Sequence, residues 1–523
     1  MIFLRKMCFI VLTIIIPVQA HSADFQFSNI DKQKLADVLF NEIERLDASA
    51  VSIRNSKKTV SWKDYRRATT KNIVESNNFK ELAAALDRAQ QGFINSHSAI
   101  QLYSNFYNSR ELYTSPPDHR GLELGYEFPN IKFFTLGSKR YVNSINGINL
   151  LNSFNEFENY RCEYAHQISC IDKFVKWIKF GLVGLNIKQT NTFGAPNGEN
   201  WDETIQTREA NPNAAWPADC KEYADAFPSM SLAHSSKNAC ILQKGQQVLF
   251  KLKRFAQWGV PQNDLYCNAT AKADTLCHEV QSLTNLLSKL DSANLIVDVQ
   301  GNSGGSENTP LVSLVTQNGF YDNLVRYKNT KEMLDEDFRT HAFYGVSAAE
   351  KWYTKSSGAK SAKKYLNPRA DFCRGDESCA FEKIASKTLE TKIDKLIVVT
   401  DENCFSSCDD FVWRAKQYGN GLVIGQTPVT DSTYVSVTGI LYHLPSGEMK
   451  VKVIAPGQQY ALEDDATKLV WFSVPYTLTV DKIDRPIDGD ERILDKFIPI
   501  TMANYGTIGK ENILNAIRLA EAN

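Results

Sequence analysis

Residues 402–411 read ENCFSSCDDF. Ser406 and Ser407 stand side by side between Cys404 and Cys408, and the apolar run Leu396-Ile397-Val398-Val399 comes just before them. The pattern describes a buried strand, a turn and a helix with Asp409 and Asp410 in its first turn, where acidic groups complement the helix dipole. A serine on such a turn presents its hydroxyl at the carboxyl edge of a sheet. Neighbouring backbone N–H groups can there stabilise an oxyanion. The plainer reading is a serine that caps the helix, the commoner reason for the residue at that position.

Two other segments could supply the rest of an acyl-transfer centre. Asp298–Gly305, DVQGNSGG, ends an apolar run in a glycine-rich turn that admits close backbone approach. It lacks the lysine of a phosphate loop and is equally consistent with a tight turn alone. Ser96-His97-Ser98 follows a helical pattern. Histidine suits an uncharged serine nucleophile because its ordinary pKa lies near neutrality. A lone histidine after a helix is also commonly structural. His21, His119, His166, His234, His278, His341 and His443 compete with His97 for the role. None of the histidines or cysteines shows H-x-x-x-H or paired C-x-x-C spacing, so neither a metal nor a cofactor is expected.

These segments need elements to hold them. DKQKLADVLFNEIERLD, SWKDYRRATTKNIVES and FKELAAALDRAQQGFI carry apolar residues at helical spacing, with Ser61 placed as a cap before Trp62. A strand is expected after His97. Residues 120–165 suggest short strands, a turn at Asn146-Gly147 and a short helix. The C-terminal half alternates buried strands (ANLIVDVQ, KLIVVT, GLVIG) with helices (VQSLTNLLSKLD, CDDFVWRAKQYG), the pattern of a layered α/β domain. YVSVTGILYHL and MKVKVIAP predict a hairpin across Pro445-Ser446-Gly447.

The chain has 523 residues, room for roughly two to four domains, and a net charge of -1. That charge gives no reason to expect nucleic acid or an anionic membrane surface as partner. Arg5 and Lys6, an apolar run and Val18-Gln19-Ala20 make residues 1–20 a secretory signal peptide by pattern. No later stretch is long and apolar enough to span a membrane. Beyond Cys8, ten cysteines fall as five neighbouring pairs: Cys162/Cys170, Cys220/Cys240, Cys267/Cys277, Cys373/Cys379 and Cys404/Cys408. In an exported chain this reads as locally paired disulfides, with periplasmic or secreted fate both open. The spacing of Cys404 and Cys408 is tight for such a bond, so pairing elsewhere or free thiols stay open there.

Taken in order, N-S-H-S, D-x-x-G-N-x-G-G, F-S-S-C-D and G-L-V-I-G resemble the tail-specific or carboxyl-terminal-processing serine peptidases, including their tricorn-core-like branch. The resemblance covers roughly residues 60–110 and 235–501. It implies a crotonase-like β-β-α catalytic domain at 235–523, an N-terminal helical region at 21–115 and a PDZ-like insert at 116–190. Residues 191–234, rich in Asn, Gly and Pro, are expected to form an irregular junction. Ser406 would be the nucleophile, and Gly304, Gly305 and Ser407 would form the oxyanion hole. Gln300 stands where the family usually has arginine. The bacterial branch's lysine would fall on or near Asp431, and no lysine lies between Lys416 and Lys450, so a Ser–Lys dyad is not expected. The tricorn-like branch implies His97 as base, with Ser96 and a late carboxylate to orient it. Asp488 is the expected carboxylate and Glu491 its competitor.

The function implied is an exported serine endopeptidase acting on a protein or peptide. The alternative is a catalytically inactive peptide- or ligand-binding protein on the same fold, suggested by Gln300 and the missing lysine. A hydrolase of other esters or amides on an unrelated α/β fold is disfavoured because G-x-S-x-G is absent.

Overall fold

The computed structural model describes residues 26–522 apart from 104–105, 107–121, 180–184, 186, 189, 205–216, 218, 256–266, 268–272, 274, 306–307, 317–318, 322–324, 343–363, 367–382, 385–388, 390, 432–435, 482 and 484. The proposed signal peptide, His21, His119 and the Cys373/Cys379 pair lie outside the described residues.

A seven-stranded sheet organises the C-terminal half. In spatial order its strands are Lys496–Phe497, Leu422–Gly425, Lys392–Thr400, Ser292–Asp298, Gln247–Leu252, Ala239–Lys244 and Ser231–Ser235. The first five run parallel to one another, and the last two continue antiparallel. Both faces are covered, and side chains alternate between them along each central strand. Leu295, Val297, Leu396, Val398 and Val423 enter a core shared with helices Leu276–Leu287, Thr309–Val315 and Ser407–Gly419. Ile296, Ile397, Val399 and Ile424 face a second core with helices Cys220–Ala226 and Ile508–Glu521. Burial on both faces explains why these strands read as unbroken apolar runs. The expected α/β architecture is present.

The N-terminal helices Lys32–Leu46, Ala50–Lys57, Trp62–Val74 and Phe79–Gln91 pack on a second, antiparallel sheet of Ala99–Leu102, Thr467–Pro475, Ser436–His443 and Met449–Ile454. Ser61 caps Trp62–Val74 as its position suggested, accepting from Asp64 N–H. The hairpin across Pro445–Gly447 also forms. Gly92 ends the helix that leads toward His97, where a Cβ would lie 2.3 Å from the Tyr65 ring.

Between these units, strands Leu124–Glu127, Lys132–Thr135 and Tyr141–Val142 form one small sheet. Ile148–Asn149, Ser144–Ile145, Thr190–Gly194 and Asn200–Thr204 form another, and helices Leu150–Tyr160 and Gln167–Lys179 share a core with both. The expected boundary at 190 therefore falls inside this unit. Residues 191–204 are not irregular; their Pro-Asn-Gly cluster makes the turn between two paired strands. Farther along, 219–234 contribute helix Cys220–Ala226 and most of an edge strand.

Four disulfides form among the described residues: Cys162–Cys170, Cys220–Cys240, Cys267–Cys277 and Cys404–Cys408. Each joins sequence neighbours. The last is feasible despite its short spacing because the turn brings the two Cα atoms to 5.3 Å.

Candidate active site

Three adjacent parallel strands end side by side, and each hands over to a loop that carries candidate residues. Ser292–Asp298 leads into the glycine turn, Lys392–Thr400 into the serine turn, and Leu422–Gly425 into the loop that reaches Asp431. The carboxyl edge of a parallel sheet is where such folds gather their chemistry.

Ser406 occupies the cap position of helix Ser407–Gly419, but its side chain makes no capping hydrogen bond. Its backbone has φ 60° and ψ -126°, a conformation that costs a non-glycine residue on the order of 1–3 kcal/mol. Helix capping therefore does not account for this serine. The Cys404–Cys408 disulfide and hydrogen bonds from Cys408 N–H to Phe405 O (3.2 Å) and Val429 N–H to Cys404 O (2.9 Å) hold the turn.

The glycine turn packs directly beneath. A Cβ on Gly304 would lie 2.5 Å from Phe405 O and 3.0 Å from Ser406 Cβ, and its φ is +83°. Gly304→Ala is accordingly expected to displace the serine turn, lowering catalytic efficiency by about 10²-fold or more and stability by about 1–3 kcal/mol. Parallel activity assays and thermal melts check this; wild-type kinetics in the variant would refute the close fit.

Gly304 N–H, expected in the oxyanion hole, donates to Asn302 Oδ1 at 2.9 Å. Ser407 Oγ donates to Gly305 O at 2.8 Å, clamping the two turns together. Gln300 is part of a buried amide network. Its side chain donates to Asp298 Oδ1 (3.1 Å) and Gly509 O (3.1 Å) and accepts from Asn512 Nδ2 (2.7 Å).

His97 meets a carboxylate, but not the expected one. His97 Nδ1 lies 3.3 Å from Asp431 Oδ1. Ser96 donates both its N–H and its hydroxyl to Asp431 Oδ2, each at 2.6 Å, so it holds the carboxylate rather than the imidazole. Asp488 is buried nearby and contributes charge to His97, but the hydrogen bond belongs to Asp431. The competitor Glu491 is engaged by Lys57 at 3.1 Å and lies 3.7 Å from His166, which hold its carboxyl down at about 2. No hydrogen bond joins the His97 ring to Ser406; such contacts commonly tighten only when substrate arrives.

Asp431 also ties His97 to the serine helix, since its N–H donates to Asp409 Oδ2 at 2.5 Å. Burial, reinforced by the Asp431 charge, pushes the Asp409 carboxyl well above the usual carboxylate range. Burial pulls His97 down, but the charge and hydrogen bond of Asp431, with Asp488 behind them, outweigh it and leave its pKa raised. Asp431 is the residue that sequence reasoning did not assign. The available signal was its place where the bacterial branch carries lysine.

The insert closes on the same edge. Tyr126 OH donates to Glu402 at 3.4 Å, and Lys176 Nζ donates to Asn403 at 3.2 Å. Burial, then the neighbouring Asp401 and Asp172 charges, raises Glu402 to about 8.

Residues 267–453 match the model of peptidase family S41. The matched segment carries the glycine turn, the serine turn and the loop that reaches Asp431. Its fold is similar to a crystal structure of mature CPAF, with 11% identity, 94% of this chain and 97% of that chain covered, and a TM-score of 0.55. Mature CPAF complexed with lactacystin gives 11% identity, coverage of 93% and 98%, and a TM-score of 0.53. At that identity the likeness is one of fold. A search of curated proteins finds no match. No helix of the described residues is long and apolar enough to cross a membrane.

Proposed function

We propose that the chain is an exported endopeptidase working through Ser406, His97 and Asp431. The observation that carries this reading is the Ser406 turn: a strained, buried serine without a capping bond, opening a helix whose Asp409 accepts from the N–H of Asp431, the residue whose carboxylate meets His97. Strain of this kind persists where surrounding structure enforces it and is characteristic of functional positions.

In the proposed reaction, Nδ1–H of His97 faces Asp431 and leaves Nε2 to accept the Ser406 proton. Oγ attacks the peptide carbonyl, and the imidazolium then gives its proton to the leaving amine. Ser407 N–H, at the first position of its helix where no intrahelical carbonyl is available, points the dipole toward the oxyanion. Gly305 N–H, rather than Gly304 N–H, is the second donor. Water repeats the sequence to release the acyl group. Asp488 adds negative charge behind the imidazole without touching it.

The catalytic unit is assigned as crotonase-like and the unit spanning 122–204 as a PDZ-like insert. The contacts of its Tyr126 and Lys176 to Glu402 and Asn403 support a role in holding a substrate strand near the serine turn by β-addition. Export fits the four disulfides and the N-terminal pattern. Incubation of the mature chain with an unfolded protein, followed by mass spectrometry of new termini, tests the assignment. Discrete internal cleavages absent in a Ser406→Ala control are expected. A folded protein that binds peptide without cleaving it would favour the binding-protein alternative.

A further inference from the structure

His234, His278 and Glu279 come together at the edge of the seven-stranded sheet, and the proposed chemistry uses none of them. His234 lies on the edge strand Ser231–Ser235. His278 and Glu279 lie in the first turn of helix Leu276–Leu287, beside the Cys267–Cys277 disulfide. The Glu279 carboxylate is fully buried. His234 Nε2 is 2.8 Å from its Oε2, His278 Nδ1 is 3.2 Å from its Oε1, and Ser236 Oγ donates to Oε1 at 2.8 Å. No lysine or arginine among the described residues forms an ion pair with it; its ion pairs run to the two histidines. A buried carboxylate is expensive to desolvate unless a cation meets it. Here two imidazole nitrogens and the Ser236 hydroxyl meet it.

We infer that His234, His278 and Glu279 form a binding site for a late first-row divalent cation of the zinc class. Two imidazole nitrogens and one carboxylate oxygen are the donors such ions favour. The three ligand atoms lie within 4.8 Å of one another. Tetrahedral Zn2+ with bonds of 2.0–2.2 Å needs donors about 3.3 Å apart, so the widest pair must close by at most about 1.5 Å, within reach of rotation of the partly exposed imidazoles. The imidazole side chains are 20% and 32% exposed, which gives an ion entry and leaves a fourth position for water. Ser236 steadies the carboxylate, the role outer hydrogen-bond partners play around metal ligands. The bound ion would staple the edge strand to the helix that leads into strand Ser292–Asp298. Two strands separate Ser231–Ser235 from Ser292–Asp298 in the sheet, so the site is structural rather than catalytic.

The test uses untagged mature protein, equilibrium dialysis against ZnCl2 with elemental mass spectrometry, and thermal melts with and without zinc. Wild type is expected to take up one equivalent and to gain several degrees in Tm. His234→Asn/His278→Asn, whose rings are partly exposed, should fold without zinc, bind it at least tenfold more weakly and lose the Tm gain. Glu279→Gln should lose binding in the same way, and Ser406→Ala should keep it, which separates this site from the peptidase reading. Absence of saturable uptake by wild type, or equal affinity in the double variant, overturns the inference.

Discussion

Ser406→Ala lowers kcat/KM for peptide hydrolysis by about 10⁴-fold or more and leaves the protein folded. The Ser406 hydroxyl forms no capping bond, so its removal takes no contact from helix Ser407–Gly419. Alanine adds no bulk to a turn packed against Gly304. The melting curve should therefore move by no more than about 1 kcal/mol equivalent. Steady-state kinetics on a cleaved peptide, read beside circular dichroism melts, check both halves. An unfolded variant would return Ser406 to a structural role, and full activity would remove it from the mechanism.

Asp431→Asn should lower kcat by about 10²–10⁴-fold with a smaller effect on KM, and it should also move the pH profile. His97 acts as a base only when neutral. Its pKa is raised above the ordinary 6.5, so activity in the wild type increases as pH rises through a midpoint above that value. Asparagine removes the charge that does most to raise it, and burial, opposed only by the more distant Asp488 charge, then pulls the pKa down. The midpoint should move to lower pH while the maximum falls, because the asparagine amide can present its N–H to Nδ1 and fix the unproductive tautomer. Asp488→Asn should shift the midpoint in the same direction with a smaller loss of rate. Equal, large losses in both variants without a pH shift would contradict the division of labour between them.

The parallel sheet was legible because both its faces are buried, which turns Leu295–Val297 and Leu396–Val399 into continuous apolar runs. The serine turn was legible from the same run and the helix behind it. The partner of His97 was not, since it joins residues 334 apart in sequence through a loop with no periodic pattern. The late segment around Asp488 carries a recognisable spacing and does lie near the imidazole, but Gly489 N–H is spent on Thr430, fixing that turn one step behind Asp431. The strands Thr190–Gly194 and Asn200–Thr204 were obscured by turn residues that sit between them rather than throughout. The cluster at Glu279 was invisible to spacing rules because its two histidines come from different elements.

The central claim is that Ser406 is an activated nucleophile with His97 as its base. Labelling purified mature protein with a fluorophosphonate and mapping the adduct by peptide mass spectrometry tests it most directly. An adduct is expected on Ser406 in wild type and none in His97→Ala. A folded wild-type protein that takes no label, or one labelled equally well without His97, would contradict it.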